Sequence, residues 1–119
     1  MSEPADDRDA RAVVDLREFA TVAAAIVATG KDAFFAESAD GQILRYAART
    51  VLLNVSAAAD RFPDAFRAAH PHVPWRAVRD TRNRIAHDYA GVNDRIIWAA
   101  LARDVPSLVS EVAGEGANE

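Results

Sequence analysis

The sequence predicts an all-α protein, an up-and-down bundle of four or five helices. Half of the 119 residues are hydrophobic, and glycine and proline contribute only five residues each. Apolar residues recur at steps of three and four rather than alternating, which is typical of helices packed on a shared core. A chain of this length forms one domain. We assign the helical domain to residues 1–113 and a flexible C-terminal tail to residues 114–119.

The first half predicts two long helices joined by an aromatic turn. The first covers about residues 9–28, and Gly30 is placed to end it as a left-handed C-terminal cap. The turn at residues 31–38 carries two phenylalanines that are expected to plug the bundle end. The second helix covers about residues 40–61. Two apolar stripes follow it: Leu44, Ala48, Val51, Val55, Ala58 and Phe62, and Ile43, Tyr46, Thr50, Leu53 and Ala57. A helix that is apolar on two sides is either central or in contact with a second subunit.

The second half predicts two further helices after a short helical turn at residues 63–70. Pro74 suits the first turn of the third helix, which is expected over residues 74–89 and stopped by Gly91. Asn93 is a good N-cap for the fourth helix. Pro106 then either kinks that helix or begins a last one.

Composition excludes several classes of protein. There is no cysteine, so disulfide frameworks, thiolate nucleophiles and cysteine-based zinc sites are ruled out. The acidic, polar start differs from a signal peptide, and the longest apolar run, residues 21–29, is too short for a bilayer. These features predict a cytoplasmic protein with no membrane contact.

Charge is distributed unevenly along the chain. The formal net charge is −4, which argues against a constitutive nucleic-acid binder. Between Arg76 and Arg95, however, five arginines face three aspartates, a net charge of +2. Any contact with an anion should therefore be local and centred on this segment.

Residues 82–89 are the most informative stretch. Arg82 falls on an otherwise apolar or aromatic helical stripe made of Trp75, Val78, Ile85 and Tyr89. A permanent cation there is costly unless it faces a carboxylate, a partner subunit or an anionic ligand.

The neighbouring His87 can take and give a proton near neutral pH. It shares a second stripe with Asp80 and Asn83, and it lies about 140° round the helix from Arg82. A fixed cation beside a proton shuttle suits RNA transesterification without a metal.

Ordinary structural roles are open alternatives for the same residues. Arg82 could form a salt bridge with a neighbouring helix, and His87 could interact with a helix dipole. His70 and His72 flank a proline without a third ligand nearby in sequence, so surface positions are favoured over a metal site.

The second half of the chain resembles the HepT-like family of HEPN-domain ribonuclease toxins. The resemblance is carried, in order, by residues 66–78, 82–89, 92–93, 96–98 and 104–108. In the family these stretches correspond to the patterns hPxIPW, RNxxxHxY and IW…DLPxL. Several motifs in the right order are far more specific than any one of them.

This resemblance implies a HEPN-like helical homodimer with its sites in a cleft between subunits. The implied activity is endoribonuclease cleavage without metal or cofactor, leaving cyclic-phosphate and 5′-hydroxyl ends. By this resemblance Arg82 and His87 are catalytic and Asn83 supports the site. Tyr89 corresponds to the tyrosine that a cognate nucleotidyltransferase antitoxin adenylylates.

One departure from the family favours a rival function. Val55 and Ser56 stand where members commonly carry a Gly-Glu pair. The rival is a catalytically inactive HEPN module that binds a nucleotidyltransferase or a nucleotide. A third hypothesis is a purely structural dimerisation bundle in which Arg82 is salt-bridged.

Overall fold

The computed structural model describes the backbone of residues 4–117 and the side chains of residues 10–112, and every regular element in that range is helical. The elements are α1 Pro4–Ala28, α2 Lys31–Phe34, α3 Ala39–Ala59, α4 Asp64–Ala69, α5 Trp75–His87, α6 Asp94–Ala99, a π-helical turn Ala100–Asp104 and α7 Val105–Ala117. The predicted all-α bundle is confirmed. None of the helices within residues 4–117 is long and apolar enough to cross a bilayer.

The core forms where α1 packs against α3 and α7, and α3 packs against α5. Its fully buried large side chains come from nearly every element: Leu16, Phe34, Val55, Phe62, Ile85, Ile97, Leu101, Val105, Leu108 and Val112. Burying one such side chain stabilises the fold by about 1.5–3 kcal/mol. α3 is therefore the central element against which the motif helix α5 is positioned.

The end of α1 differs in detail from the prediction. α1 begins at Pro4, earlier than expected, and ends at Ala28 as expected. Gly30 has φ +91°, so the left-handed φ predicted at the end of α1 is confirmed, whereas its ψ of 160° is more extended than in a left-handed helical cap. The reason is that Gly30 also starts α2, where its carbonyl accepts a hydrogen bond from the Phe34 N–H (3.0 Å). Phe34 is fully buried, as the predicted plug requires.

α3 begins at a side-chain cap and buries only one of its two apolar stripes. The Ser38 hydroxyl accepts from the Gly41 N–H (3.1 Å). The stripe that includes Ala48 and Val55 is buried. On the other stripe Ile43 is 64% and Tyr46 is 42% exposed, so burial on two sides is wrong for the single chain. Helical spacing identifies an apolar face but does not say which chain covers it.

α5 ends at His87, two residues earlier than predicted. Asp88 is extended (φ −150°), and its carboxylate Oδ1 accepts from the Gly91 N–H (3.0 Å), which turns the chain away from the helix. A Cβ at Gly91 would lie 2.0 Å from the Asp88 Oδ2, so a larger residue there would displace the carboxylate that holds this turn. Tyr89 consequently leaves the α5 axis, and the predicted single stripe from Trp75 to Tyr89 is wrong at its last member.

α6, the π-helical turn and α7 follow one another without a loop. The Asn93 side chain accepts from the Arg95 N–H (2.8 Å), confirming the predicted N-cap. Pro106 is the second residue of α7, so it begins a last helix directly after the π-helical turn. Proline has no N–H to donate to the preceding turn, and the turn that precedes Pro106 is the wider π-helical one. α7 continues to Ala117; its side chains from residue 113 onward lie outside the described set, and the flexible tail stays a prediction.

Candidate active site

His87 is the last residue of α5 and its side chain is exposed. It lies on an open cleft of about 420 Å³ at the start of α6. The cleft is lined by Arg84, His87, Asp88, Gly91, Val92, Asn93 and Ile96. Arg84 forms no ion pair with any residue that the structure describes. An imidazole and a guanidinium therefore line the same open cleft.

Arg82 lies near the end of α3 rather than in this cleft. Its Nη2 is 3.7 Å from the Asp60 Oδ2, and the same carboxylate accepts from Arg79 Nη2 (3.2 Å). The salt-bridge alternative is thus present. Because the side chains of Arg82 and Asp60 are 37% and 40% exposed, the pair contributes less than about 1 kcal/mol. Arg82 remains accessible to an anion that approaches α5.

The chain by itself does not bring Arg82 and His87 into one cleft. Arg82 is absent from the lining of the His87 cleft, in agreement with the angle expected from their spacing. Asn83 is exposed one turn before His87, at the i, i+4 spacing of helical neighbours. Asp80 is also exposed, as its place on that stripe predicts.

Tyr89 is held against α3 by several contacts. Its hydroxyl donates to the Tyr46 carbonyl (2.9 Å) and lies 3.3 Å from the Thr50 hydroxyl. The rings of Tyr89 and Tyr46 are 5.7 Å apart between centroids. The side chain nevertheless remains 39% exposed, so the phenol is both fixed in place and accessible.

A buried arginine ties the segment after α5 to α3. Arg49 is only 2% exposed; its Nε donates to the Tyr89 carbonyl (2.7 Å), and its Nη2 donates to the Val92 carbonyl (2.9 Å). The same Nη2 donates to Asp94 Oδ1 (2.7 Å), which neutralises the buried charge. The turn that carries Tyr89 and one wall of the cleft is therefore anchored by a single guanidinium.

Sequence reasoning missed this network. Arg45 contributes to it as well: it donates to the Phe34 and Ala36 carbonyls (2.8 Å each) and lies 3.8 Å from Asp94. A signal was available, because Arg45 and Arg49 are two cations four residues apart in a helix whose neighbouring positions are apolar. Such a pair predicts buried acceptors or a carboxylate opposite it.

The remaining histidines have structural surroundings. The His70 ring stacks on Phe66 (4.2 Å between centroids), and its Nδ1 is 2.8 Å from the Phe66 carbonyl oxygen. His72 is exposed. Among the side chains that the structure describes, no group of three or more His, Asp or Glu residues is arranged to hold a metal ion.

The fold and this site together define a class of protein: an all-α bundle with an Arg-x4-His-x-Tyr motif at the end of one helix. The HepT-like ribonuclease family matches residues 10–113. The chain belongs to that family. No solved structure matches it.

Relatives in other organisms carry ribonuclease names. The chain is 36% identical over 58 residues to a protein of Caldanaerobacter subterraneus subsp. tengcongensis whose name assigns it as an RNase (49% of this chain, 52% of that one). It is 35% identical over 54 residues to a protein of Thermococcus cleftensis named as a HepT ribonuclease (45% and 49%). A Methanocaldococcus jannaschii protein named as an RNase is 30% identical over 82 residues (69% and 75%). The chain thus spans about half the length of the first two relatives and three quarters of the third.

Proposed function

We propose that this protein is an endoribonuclease toxin that cleaves RNA without a metal ion. Membership of a ribonuclease family supports this function. The observation that carries it is the exposed His87 on an open cleft beside Arg84, which forms no ion pair with a described residue; a phosphodiester can meet an acid–base group there.

His87 and Arg82 have separate roles in the proposed reaction. His87 takes the proton from a ribose 2′-hydroxyl, or gives one to the leaving 5′-oxygen. The 2′-oxygen attacks phosphorus, the bond to the 5′-oxygen breaks, and the products are a 2′,3′-cyclic phosphate and a 5′-hydroxyl. Arg82 binds the phosphoryl oxygens as their negative charge grows. Asn83 orients the imidazole from one turn away.

A second copy of the chain would bring Arg82 and His87 into one cleft. Within one chain Arg82 and His87 face different directions, so a homodimer is proposed in which the two α5 helices flank a shared cleft. The exposed stripe of α3 supports this arrangement, because Ile43 and Tyr46 leave apolar surface open next to Tyr89. Exposed apolar patches of this kind are characteristic of protein interfaces.

The test is cleavage of a mixed RNA by the purified protein in EDTA. We expect fragments that end in cyclic phosphate and begin with a 5′-hydroxyl, at a rate that added Mg²⁺ does not raise. Mass spectrometry identifies the end groups of the fragments, and light scattering establishes whether the protein is a dimer. A folded, unmodified dimer that leaves varied RNAs intact would refute the nuclease.

Regulation by a nucleotidyltransferase antitoxin completes the proposal. Adenylylation would transfer AMP from ATP to the Tyr89 oxygen with release of pyrophosphate and of the phenol proton, so this oxygen would have no hydrogen to donate to the Tyr46 carbonyl. The modified side chain would leave α3 and carry a bulky negative charge beside the RNA path. The toxin would thereby be silenced in the cytoplasm without being unfolded.

Tyr89→Phe separates modification from catalysis. We expect the variant to gain no AMP, because the acceptor oxygen is gone, while RNA cleavage changes less than about threefold, since the phenol is not assigned a part in proton transfer. Loss of the exposed hydrogen bond costs about 1 kcal/mol or less. Intact mass after incubation with a candidate antitoxin and ATP measures the first effect. Tyr46→Phe, which keeps the carbonyl that Tyr89 binds, is the matched control and should still be modified.

The rival is a non-catalytic module that binds a nucleotidyltransferase or a nucleotide. The observation that favours it is the replacement of the family's Gly-Glu pair by Val55 and Ser56, both buried in α3. No carboxylate is available from these positions to orient a neighbouring arginine. Tight partner or nucleotide binding together with no RNA turnover would support this rival.

A further inference from the structure

A second, arginine-lined depression lies at the other end of α5. It measures about 520 Å³ and is open to solvent. Its lining consists of Arg67, Ala68, Trp75, Arg76, Arg79 and Asp80. Three guanidinium groups from α4 and α5 thus face one carboxylate across a single concave surface, and a ligand that fits it must be anionic.

The arginines here are only weakly committed to protein partners. Arg67 uses one nitrogen on Asp64, whose side chain is 97% exposed, while its Nη1 is buried with no hydrogen-bond partner among the described residues. Arg76 is exposed and forms no ion pair with a described residue. Exposed pairs contribute at most about 1 kcal/mol, so a phosphate group can replace them at little cost.

This depression is connected to the proposed catalytic arginine. Asp60 accepts from Arg79 at 3.2 Å and lies 3.7 Å from Arg82, so one carboxylate joins the depression to Arg82. Arg76, Arg79 and Arg82 are three residues apart and form a ladder along α5. An RNA strand held at Arg82 would meet Arg79 and Arg76 at successive positions along its backbone.

We propose that Arg67, Arg76 and Arg79 form a phosphate-binding subsite for single-stranded RNA next to the cleavage site. The inference rests on the proposed function for its choice of ligand. Arginine forks suit phosphate geometry, and they bind the backbone without reading sequence. The subsite increases affinity for the strand and takes no part in proton transfer.

The test measures RNA binding separately from cleavage. Both double variants are made in a His87→Ala background. The test variant carries Arg67→Gln and Arg76→Gln. The control carries Lys31→Gln and Arg95→Gln, which remove the same charge from a separate depression beside Trp98. The probe is a short fluorescein-labelled single-stranded RNA followed by anisotropy. We expect about a tenfold or greater loss of affinity from the first pair and less than about threefold from the second. The slope of log affinity against log salt should fall by about 0.7 for each lost phosphate contact.

Each alternative outcome overturns the subsite. Equal losses from both pairs would indicate diffuse charge, and no loss from either would remove the site. Displacement of the RNA by ATP at equal phosphate concentration would assign the depression to a free nucleotide. If the double variant is unfolded by circular dichroism, Arg76→Gln alone, at an exposed position, carries the same test. Because binding is measured without turnover, the subsite can stand even if the nuclease proposal fails.

Discussion

His87→Ala is expected to lower RNA cleavage by about 10²–10⁴-fold, the contribution of a positioned general acid–base group. The variant should fold normally, because the side chain is exposed at the end of α5 and its interaction with the helix dipole contributes less than about 1 kcal/mol. The measurement is the initial rate of RNA cleavage in EDTA, with thermal unfolding of both proteins followed in parallel.

His72→Ala is the matched control for this experiment. His72 is also an exposed histidine, but it lies in the loop before α5 and does not line the cleft. We expect it to cleave at the wild-type rate. A folded His87→Ala variant that cleaves as fast as the His72→Ala variant would exclude His87 from the reaction.

The largest effect on stability is expected at Arg49. Arg49→Met removes the side-chain donors, so the Tyr89 and Val92 carbonyls lose their Arg49 hydrogen bonds and the Asp94 carboxylate keeps only the longer ion pair with Arg45. Losing hydrogen bonds from a buried charged group should lower the free energy of unfolding by roughly 2–4 kcal/mol. Urea denaturation measures the change, and hydrogen exchange of residues 89–92 should show the turn opening locally.

Arg61→Met provides the comparison for Arg49. Arg61 also makes an ion pair, with Asp15, but the two side chains are 42% and 37% exposed. Its loss should cost less than about 1 kcal/mol. If the two substitutions lower the free energy of unfolding equally, the buried network does not anchor the turn as its geometry indicates.

Local signals in the sequence predict much of this fold. The first stripe of α3 is buried as its spacing requires, and Asn93 caps α6 through its own side chain. Such features depend on residues within one or two helical turns, so periodicity and capping chemistry can identify them. The choice of Arg82 and His87 as site residues comes from spacing and a family resemblance, and it stays a prediction.

Two kinds of feature were missed: contacts between residues far apart in the sequence, and a side-chain hydrogen bond that competes with continuation of a helix. Arg49 finds its acceptors 40–45 residues further along the chain, a pairing that no local pattern encodes. α5 ends early because the Asp88 side chain accepts a hydrogen bond from the Gly91 N–H. Helical periodicity alone does not predict such a bond. Helical geometry predicted that Arg82 and His87 point in different directions, and the structure confirms this. How the two residues come together in a complete site stays a prediction.

The π-helical turn has a consequence for the rotational phase of the last two helices. Ile97, Leu101 and Val105 are spaced by two steps of four, and on an α-helix each such step would drift by about 40°. The wider turn at Ala100–Asp104 absorbs that drift, since all three side chains remain buried. If the same residues adopted regular α-helical geometry throughout, the two steps together would rotate α6 by about 80° relative to α7. Ile96, which faces the cleft, would then be carried away from His87, so an irregularity inside the bundle sets the direction in which one wall of the cleft points.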